Sequence, residues 1–247
     1  HDAAHGFVKG RSTVTNAAPH RGRAVVMNFD LSDFFPTVTF PRIRGVFRKI
    51  GYSPCVATLF ALICSESPRR EIEYRGKRFH AAIGPRCLPQ GACASPAISN
   101  LIARSFDRRL AGIAASLGFA YTRYADDLTF SGSEEVLEKL GYLAARVRHI
   151  AQDEGFSVNE KKTRVLRRNS AQTVTGIVVN DRLNVDRKTI RRIRAILHKA
   201  ETEGLEAQNR ENIPNFRAWL KGMISYIKMV NPERGRLLME KYNRCRT

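Results

Sequence analysis

The stretch AYTRYADDLTFSGS, residues 120–133, limits the possible folds of this chain more than any other segment. Two strand-like runs, Tyr121–Tyr124 and Leu128–Phe130, predict a β-hairpin that carries Asp126 and Asp127 at its turn. Two like charges about 4 Å apart repel by about 4 kcal/mol at an effective dielectric constant of about 20. An exposed turn would tolerate this repulsion, and a site that holds a cation would offset it.

A third carboxylate favours the cation site. The apolar run AVVMNF, residues 24–29, is suited to a buried strand, and Asp30 follows it directly. If the strands pair as neighbours, Asp30 comes to lie beside Asp126 and Asp127. Mg²⁺ prefers such oxygen ligands and keeps waters that a phosphate can replace, and Mn²⁺ fits the same ligands. Two such ions about 3.5–4 Å apart can activate a hydroxyl and stabilise a leaving oxygen, so the three carboxylates indicate nucleotidyl transfer.

The charge of the chain favours a polyanionic partner. The 247 residues include 42 Lys and Arg against 23 Asp and Glu, a formal net charge of +19. Such an excess is typical of proteins that bind nucleic acid, although a merely charged, soluble surface is the alternative. Hydrophobic residues make up 43% of the chain, which is enough for a folded core.

The cysteines and the hydropathy exclude several classes of protein. The five cysteines are odd in number and none has C-x-x-C spacing, so we predict free thiols in a reducing compartment and no zinc site. The six histidines form no site, and we expect His20 to be a structural hydrogen-bonding residue. No apolar run approaches the length of about 18 residues that a membrane span requires, and no signal peptide is visible. We therefore expect a cytoplasmic protein with no membrane contact.

The order of predicted elements indicates an α/β (α+β) protein with a mixed or antiparallel sheet. A sheet domain over residues 1–185 precedes a helical domain over residues 186–247. Helical spacing runs over residues 41–64 with breaks at Gly51 and Pro54, over residues 97–117, and over residues 134–154. A second hairpin is predicted over residues 70–83 with Gly76 near its turn, and residues 156–166 and 172–180 are strand-like.

The helical tail is amphipathic. The apolar face of its first helix comprises Ile190, Ile193 and Leu197, and the opposite face comprises Arg187, Arg191, Arg194 and His198. The basic face is either solvated or binds an anion. A second helix carries an apolar stripe that we interpret as core, with Asn215 placed to cap its start; the stripe comprises Phe216, Trp219, Leu220, Met223, Ile224 and Ile227.

Five motifs in order resemble the palm of reverse transcriptases. VVMNFDLSDFFPTV is similar to the first palm motif, LPQGACASPAISN to the loop and helix under the incoming nucleotide, and YADD to the catalytic hairpin. GFSVNEKKT is similar to the lysine motif and TVTGIVVN to the primer grip. Two short features, NAAPH at residues 16–20 and VTG at residues 174–176, resemble the retron type in particular, as does LKGMISYIKMVNP at residues 220–232. The resemblance implies a right-hand polymerase with a palm, some fingers elements and a helical thumb.

The resemblance also implies roles for single residues. Asp30 and Asp126 would be the main ligands of two Mg²⁺ ions, with Asp127 assisting them, and Lys162 would protonate the leaving pyrophosphate. Outside the resemblance, Lys162 is equally well an exposed lysine in a basic loop. The residues implied to bind substrate are Phe35 as a steric gate against a ribose 2′-OH, Gln90 and Gly91 in the nucleotide-binding loop, and Arg11. The residues implied to bind nucleic acid are Arg187, Arg191, Arg194 and Lys221.

A retron-type enzyme would make RNA-linked single-stranded DNA from a structured noncoding RNA and dNTPs, in a bacterial cytoplasm, with a possible effector or toxin partner and an anti-phage role. Reverse transcriptases normally carry a fingers segment upstream, and the chain begins at His1, so we expect that the N-terminal part of the fingers is missing. Three alternatives are another bacterial reverse transcriptase (group II intron-like or diversity-generating), an abortive-infection polymerase without a template, and a noncatalytic palm-fold RNA-binding scaffold.

Overall fold

The computed structural model describes residues 1–245. Its strands are β1 (Val25–Ser32), β2 (Arg69–Tyr74), β3 (Lys77–Ala82), β4 (Ala120–Tyr124), β5 (Asp127–Gly132), β6 (Ser157–Val158), β7 (Arg164–Arg167), β8 (Thr173–Val174) and β9 (Ile177–Val178). Its helices are α1 (Thr13–Ala17), α2 (Phe40–Ile50), α3 (Pro54–Ile63), α4 (Ser95–Ile102), α5 (Arg104–Leu117), α6 (Leu140–Asp153), α7 (Arg187–Glu203), α8 (Phe216–Val230) and α9 (Pro232–Arg244). Short 3₁₀ turns lie at Ala18–His20, Glu134–Lys139, Glu160–Lys162 and Glu206–Gln208.

Strand β1 is the centre of an antiparallel sheet. The order is β4-β5-β1, and the far edge of β1 pairs with β7 along its first half and with β6 at its end. Asp30 stands opposite Asp127 in the β1–β5 register. Pairing of the two predicted strands therefore brings the first carboxylate to the hairpin, as we expected.

The two faces of β1 belong to two different cores. Alternate residues such as Met27 and Phe29 pack with helices α5 and α6, whereas Val26 packs with the helical tail. The second core joins Val174 and Ile177 to the apolar faces of α7 and α8, which confirms the predicted stripes. Asn28 and Asp30 lie on the same side of β1 as Val26, but they line a cleft and not a core.

Most predicted elements are present, but two of the predicted helices are not continuous. The helix predicted over residues 97–117 breaks at Ala103 into α4 and α5, and the one predicted over residues 134–154 starts with a 3₁₀ turn. The prediction that Asn215 caps α8 is wrong, because its backbone is left-handed, with φ 51°, and its side chain makes no capping bond. Asn231 caps α9 instead, accepting a bond from the Arg234 backbone N–H.

Candidate active site

Three carboxylates meet at one edge of the sheet. The turn between β4 and β5 consists of Ala125 and Asp126, and Asp127 begins β5 opposite Asp30. The Leu31 N–H donates to the Asp126 carbonyl over 3.0 Å, which ties the hairpin turn to β1 just beyond Asp30. The prediction that strand pairing gathers these side chains is confirmed.

The site holds more negative charge than its surroundings offset. Burial, with smaller contributions from the neighbouring carboxylates of Asp126 and Asp30, raises the pKa of Asp127 to about 6. Burial is also the main cause that raises the pKa of Asp126, with a smaller contribution from Asp30. A carboxylate group held in this way gains from a nearby cation, since the cation favours the ionised form.

Lys162 supplies one positive charge. Its Nζ lies 2.9 Å from Asp30 Oδ1, and this bond raises the pKa of the lysine. The 3₁₀ turn Glu160–Lys162 between β6 and β7 interrupts the pairing with β1 at the level of Asp30, which places the lysine there. Among residues 1–245, no group of three Asp, Glu, His or Cys side chains is arranged so that it could hold a metal ion without rearrangement. The oxygen donors and the charge of the site fit a divalent cation such as Mg²⁺ if the Lys162 ammonium group moves away from Asp30.

A cavity of about 240 Å³ opens beside the carboxylates. Its walls are mostly amide, hydroxyl and charged groups, which suit a polar substrate. They comprise Asn28, Phe29, Asp30, Asp127, Thr129, Lys162, Arg164, Thr173, Thr175 and Gly176. Sequence reasoning missed Asn28, which lies two residues before Asp30 and therefore shares its face of the strand. It also missed Arg164, for which the sequence carries no separate signal.

The residues predicted to bind a nucleotide lie outside the walls of this cavity. The Phe35 ring is half-buried, 5.5 Å from the Phe34 ring and 6.2 Å from the Phe7 ring, whereas Phe34 belongs to the core. Gln90 is exposed. Gly91 has φ +87°, and an added Cβ would meet no atom within 4 Å, so the backbone conformation and not the space requires glycine there. Their substrate roles stay predictions.

Arg11 contacts its own chain. Its guanidinium donates to the Ala4 carbonyl over 2.6 Å and to the Asp2 carbonyl, and its Nη2 lies 3.4 Å from Asp2 Oδ1. The side chain is 28% exposed. In this structure the Arg11 side chain therefore bonds to the N-terminal segment of its own chain. Its contact with substrate stays a prediction.

The two retron-like motifs meet in space. Asn16 Nδ2 lies 3.4 Å from Thr175 Oγ1, and Ala17 packs in the same core as Val174. Thr175 also lines the carboxylate cavity, so the motif pair borders the site. His20 is buried and hydrogen-bonds with Ser131 Oγ at 2.7 Å and with Thr122 Oγ1 at 2.8 Å, which confirms its structural role.

The basic face of the tail borders a second cavity. Arg187, Arg191 and Arg194 line a space of about 770 Å³ together with Arg168, Arg182 and Arg234. Lys221 is exposed on α8 and does not line it. Arg168 follows Arg167, which pairs with Val25, five residues before Asp30. This end of β1 is thus about 16 Å from the carboxylates, since a strand rises about 3.3 Å per residue.

The five cysteines are free, as predicted. No helix within residues 1–245 combines the length and the apolar composition needed to cross a membrane.

The chain matches the reverse transcriptase (RNA-dependent DNA polymerase) family over residues 1–210. It is 49% identical over 240 residues to the retron Mx65 reverse transcriptase of Myxococcus xanthus, covering 96% of this chain and 54% of that protein. It is 43% identical to the retron Mx162 reverse transcriptase of the same organism, covering 97% and 51%, and 34% identical to the retron Ec86 reverse transcriptase of Escherichia coli, covering 89% and 61%. The chain thus spans about half the length of the first two relatives.

Solved structures that resemble this chain include two polymerases of low sequence identity. A Candida tropicalis telomerase without its C-terminal domain gives a TM-score of 0.48 at 14% identity, covering 66% of this chain and 35% of that one. A foamy viral protease-reverse transcriptase in complex with an RNA/DNA hybrid gives 0.47 at 18% identity, covering 98% and 30%. The sequence relatives confirm the resemblance to retron enzymes. The chain belongs to the reverse transcriptase family of RNA-dependent DNA polymerases.

Proposed function

We propose that this protein is an RNA-directed DNA polymerase of the retron type. The observation that carries the proposal is the convergence of Asp30, Asp126 and Asp127 at one sheet edge, beside a polar cavity. The family match and the retron relatives support the same activity.

The three carboxylates would hold two Mg²⁺ ions, or Mn²⁺, which when bound activate the attacking hydroxyl and stabilise the leaving oxygen. Lys162 holds a proton at Nζ beside Asp30, where a leaving pyrophosphate would need one. Phe35 would exclude a ribose 2′-OH, and the loop of Gln90 and Gly91 would lie against the nucleotide. Arg11 would contact the substrate.

We assign residues 1–185 to the palm with the remaining fingers elements, and residues 186–247 to the thumb. Residue 186 precedes α7, which agrees with this boundary. Exposed basic residues of the thumb would contact the phosphates of a template–primer duplex, which proteins read largely by shape and charge. These residues are Arg187, Arg191, Arg194 and Lys221.

The retron type implies a more specific reaction. The enzyme would copy a structured noncoding RNA into RNA-linked single-stranded DNA in the bacterial cytoplasm, with an effector protein as a possible partner in anti-phage defence. The contact between Asn16 and Thr175 supports this type, because it joins the two short motifs that resemble retron enzymes.

The test is extension with labelled dNTPs by the full-length protein, its co-purified RNA and Mg²⁺. Wild type should make templated DNA, and RNase treatment of the RNA beforehand should abolish the synthesis. Asp126→Asn should lower the rate of DNA synthesis by at least about 100-fold, because a proposed metal ligand is lost. Glu71→Gln is the matched control, since Glu71 lies on the exposed β2–β3 hairpin and should leave the rate unchanged.

Two other results would overturn the proposal. Wild-type protein that binds RNA tightly but makes no DNA would be a noncatalytic RNA-binding scaffold. DNA made without any RNA template would indicate a polymerase of the abortive-infection type.

A further inference from the structure

We propose that Arg123 is a positioning residue for the carboxylate turn: its guanidinium holds the strained residue Ala125 and thereby sets the place of Asp126. The inference rests on the proposed function, because it assigns Arg123 a part in the same site. Arg123 does not line the carboxylate cavity and is not among the residues that resemblance assigns to catalysis.

The guanidinium of Arg123 is fully buried and nearly saturated with acceptors. Nε and Nη2 donate to the two carboxylate oxygens of Asp107 over 2.7 and 2.8 Å. Nη2 also donates to Asn100 Oδ1 over 3.0 Å, and Nη1 donates to the Ala125 carbonyl over 2.9 Å. Four of its five N–H groups are thus bound, and only the bond to Ala125 reaches the turn.

Stability alone is a weak reason for this arrangement. Desolvation of two buried charges offsets most of their attraction, so a well-packed apolar pair would often be as stable. An ion pair with this geometry instead restricts orientation, because the planar guanidinium fits a carboxylate in one way. The Tyr121 hydroxyl donates to Asp107 Oδ1 over 2.9 Å and fixes the carboxylate in turn.

The turn needs such a restraint. Ala125 has φ 56°, a left-handed conformation that is about 1–2 kcal/mol unfavourable for a residue with a Cβ. Such a conformation persists only where the surroundings determine it. Asp126 follows directly, and its carbonyl accepts the Leu31 N–H. A rotation of the peptide after Ala125 would therefore move Asp126 relative to Asp30.

Arg123 also connects the turn to the N-terminal segment. Its backbone N–H donates to the Ala3 carbonyl and its carbonyl accepts the His5 N–H, each over 2.7 Å. Asn100, which accepts from the guanidinium, donates to the Gly6 carbonyl over 2.9 Å. Through its contacts, Arg123 thus links the turn to α4, to α5 and to the N-terminal segment.

The test uses the full-length protein with Arg123→Lys. Lysine keeps a positive charge for Asp107, but one ammonium cannot reproduce the planar fork that serves Asp107, Asn100 and Ala125 together. We expect Mn²⁺ binding, measured by electron paramagnetic resonance titration without substrate, to weaken about 10-fold, as for other residues that orient metal ligands. The rate of DNA synthesis should fall by a similar factor, with KM for dNTP changed less than about two-fold.

Two further variants separate positioning from folding. Ala125→Gly removes the penalty for the left-handed turn, so the double variant with Arg123→Lys should regain part of the Mn²⁺ affinity. His20→Gln is the matched control, because His20 is also buried and bonds to β4 and β5 but does not touch the turn. It should lower the melting temperature and leave Mn²⁺ binding unchanged.

If Arg123→Lys lowers only the melting temperature, as His20→Gln does, the residue is merely structural and the inference is overturned. The same conclusion follows if Arg123→Lys is too unstable to purify but Asn100→Ala, which removes one acceptor of the guanidinium, leaves Mn²⁺ binding unchanged. Failure of the proposed function is distinguishable, because wild-type protein would then make no DNA whatever its Mn²⁺ affinity.

Discussion

The β2–β3 and β4–β5 hairpins both reverse direction within two residues, but different forces hold their turns. In the first, Arg75 and Gly76 have φ 52° and 71°, and nearly every residue of both strands is exposed. In the second, Ala125 has φ 56° and the strands are largely buried. Two consecutive left-handed residues that include glycine make a turn which favours hairpins by itself. The alanine turn depends on contacts from the rest of the molecule.

Because of this difference, we expect the two hairpins to tolerate substitutions near their turns to different degrees. The exposed hairpin presents Ile72 opposite Phe79 on a surface that packs against little else, so its structure is local. The buried hairpin carries Asp126 and Asp127, whose positions would have to be held to within a few tenths of an ångström at the proposed metal site. Substitutions near each turn therefore test whether local backbone conformation or contacts with the rest of the molecule hold it.

The largest effect is expected from Gly6→Ala. A Cβ at this residue would lie 2.5 Å from the Ala125 backbone N and 3.1 Å from the Tyr124 carbonyl carbon, so the N-terminal segment or the turn must shift. We expect the free energy of unfolding to fall by about 2–3 kcal/mol, and DNA synthesis to fall with it. Urea denaturation monitored by circular dichroism measures the first. An unchanged midpoint would show that the turn does not depend on the N-terminal segment.

The pH dependence of stability tests the support behind the buried strands. Burial, with smaller contributions from Arg23 and His5, lowers the pKa of His20 to about 3. Between pH 6.5 and about 3 the unfolded chain therefore binds a proton that the folded chain does not. Stability falls as the pH falls, by about 1.4 kcal/mol per pH unit for this group.

Asp127 acts in the opposite sense between about pH 6 and pH 3.8, because its pKa is raised in the folded state. The comparison with His20→Gln isolates the histidine. The stability difference between wild type and this variant should be largest near pH 7 and shrink towards pH 4.5, measured by urea denaturation in metal-free buffer. Equal slopes in the two proteins would contradict a buried neutral His20.

The smallest effect is expected from Gly76→Ala in the exposed turn. Its φ of +71° is unfavourable for alanine, but an added Cβ would meet no atom within 4 Å. We expect a loss of about 1 kcal/mol of stability, from the backbone conformation alone, with no change in Mn²⁺ binding. Thermal denaturation measures the loss. A loss as large as that of Gly6→Ala would mean that the exposed hairpin is also held by the rest of the molecule.

The features that the sequence predicted well are those with local causes. Gly76 marks the exposed turn, the apolar run Ala24–Phe29 marks β1, and the period of α7 separates its apolar face from its basic face. The proximity of Asp30 to Asp126 and Asp127 also follows from a simple rule, because the strand that ends near Asp30 pairs with a strand of the hairpin that carries the other two. Where a local rule failed, as for the break at Ala103, alanine carries no signal that distinguishes a helix interior from an end.

Three carboxylates, a hairpin turn and a basic helical tail could be predicted from the sequence alone, since patterns of charge and hydropathy express them directly. Three contacts depend on how the chain folds: Lys162 bonds to Asp30, Asn16 contacts Thr175 across 159 residues, and Arg123 is buried against Asp107. Each of these contacts joins side chains from separate elements. Their distances follow from how the helices and the sheet pack, and no periodicity within one element encodes that packing.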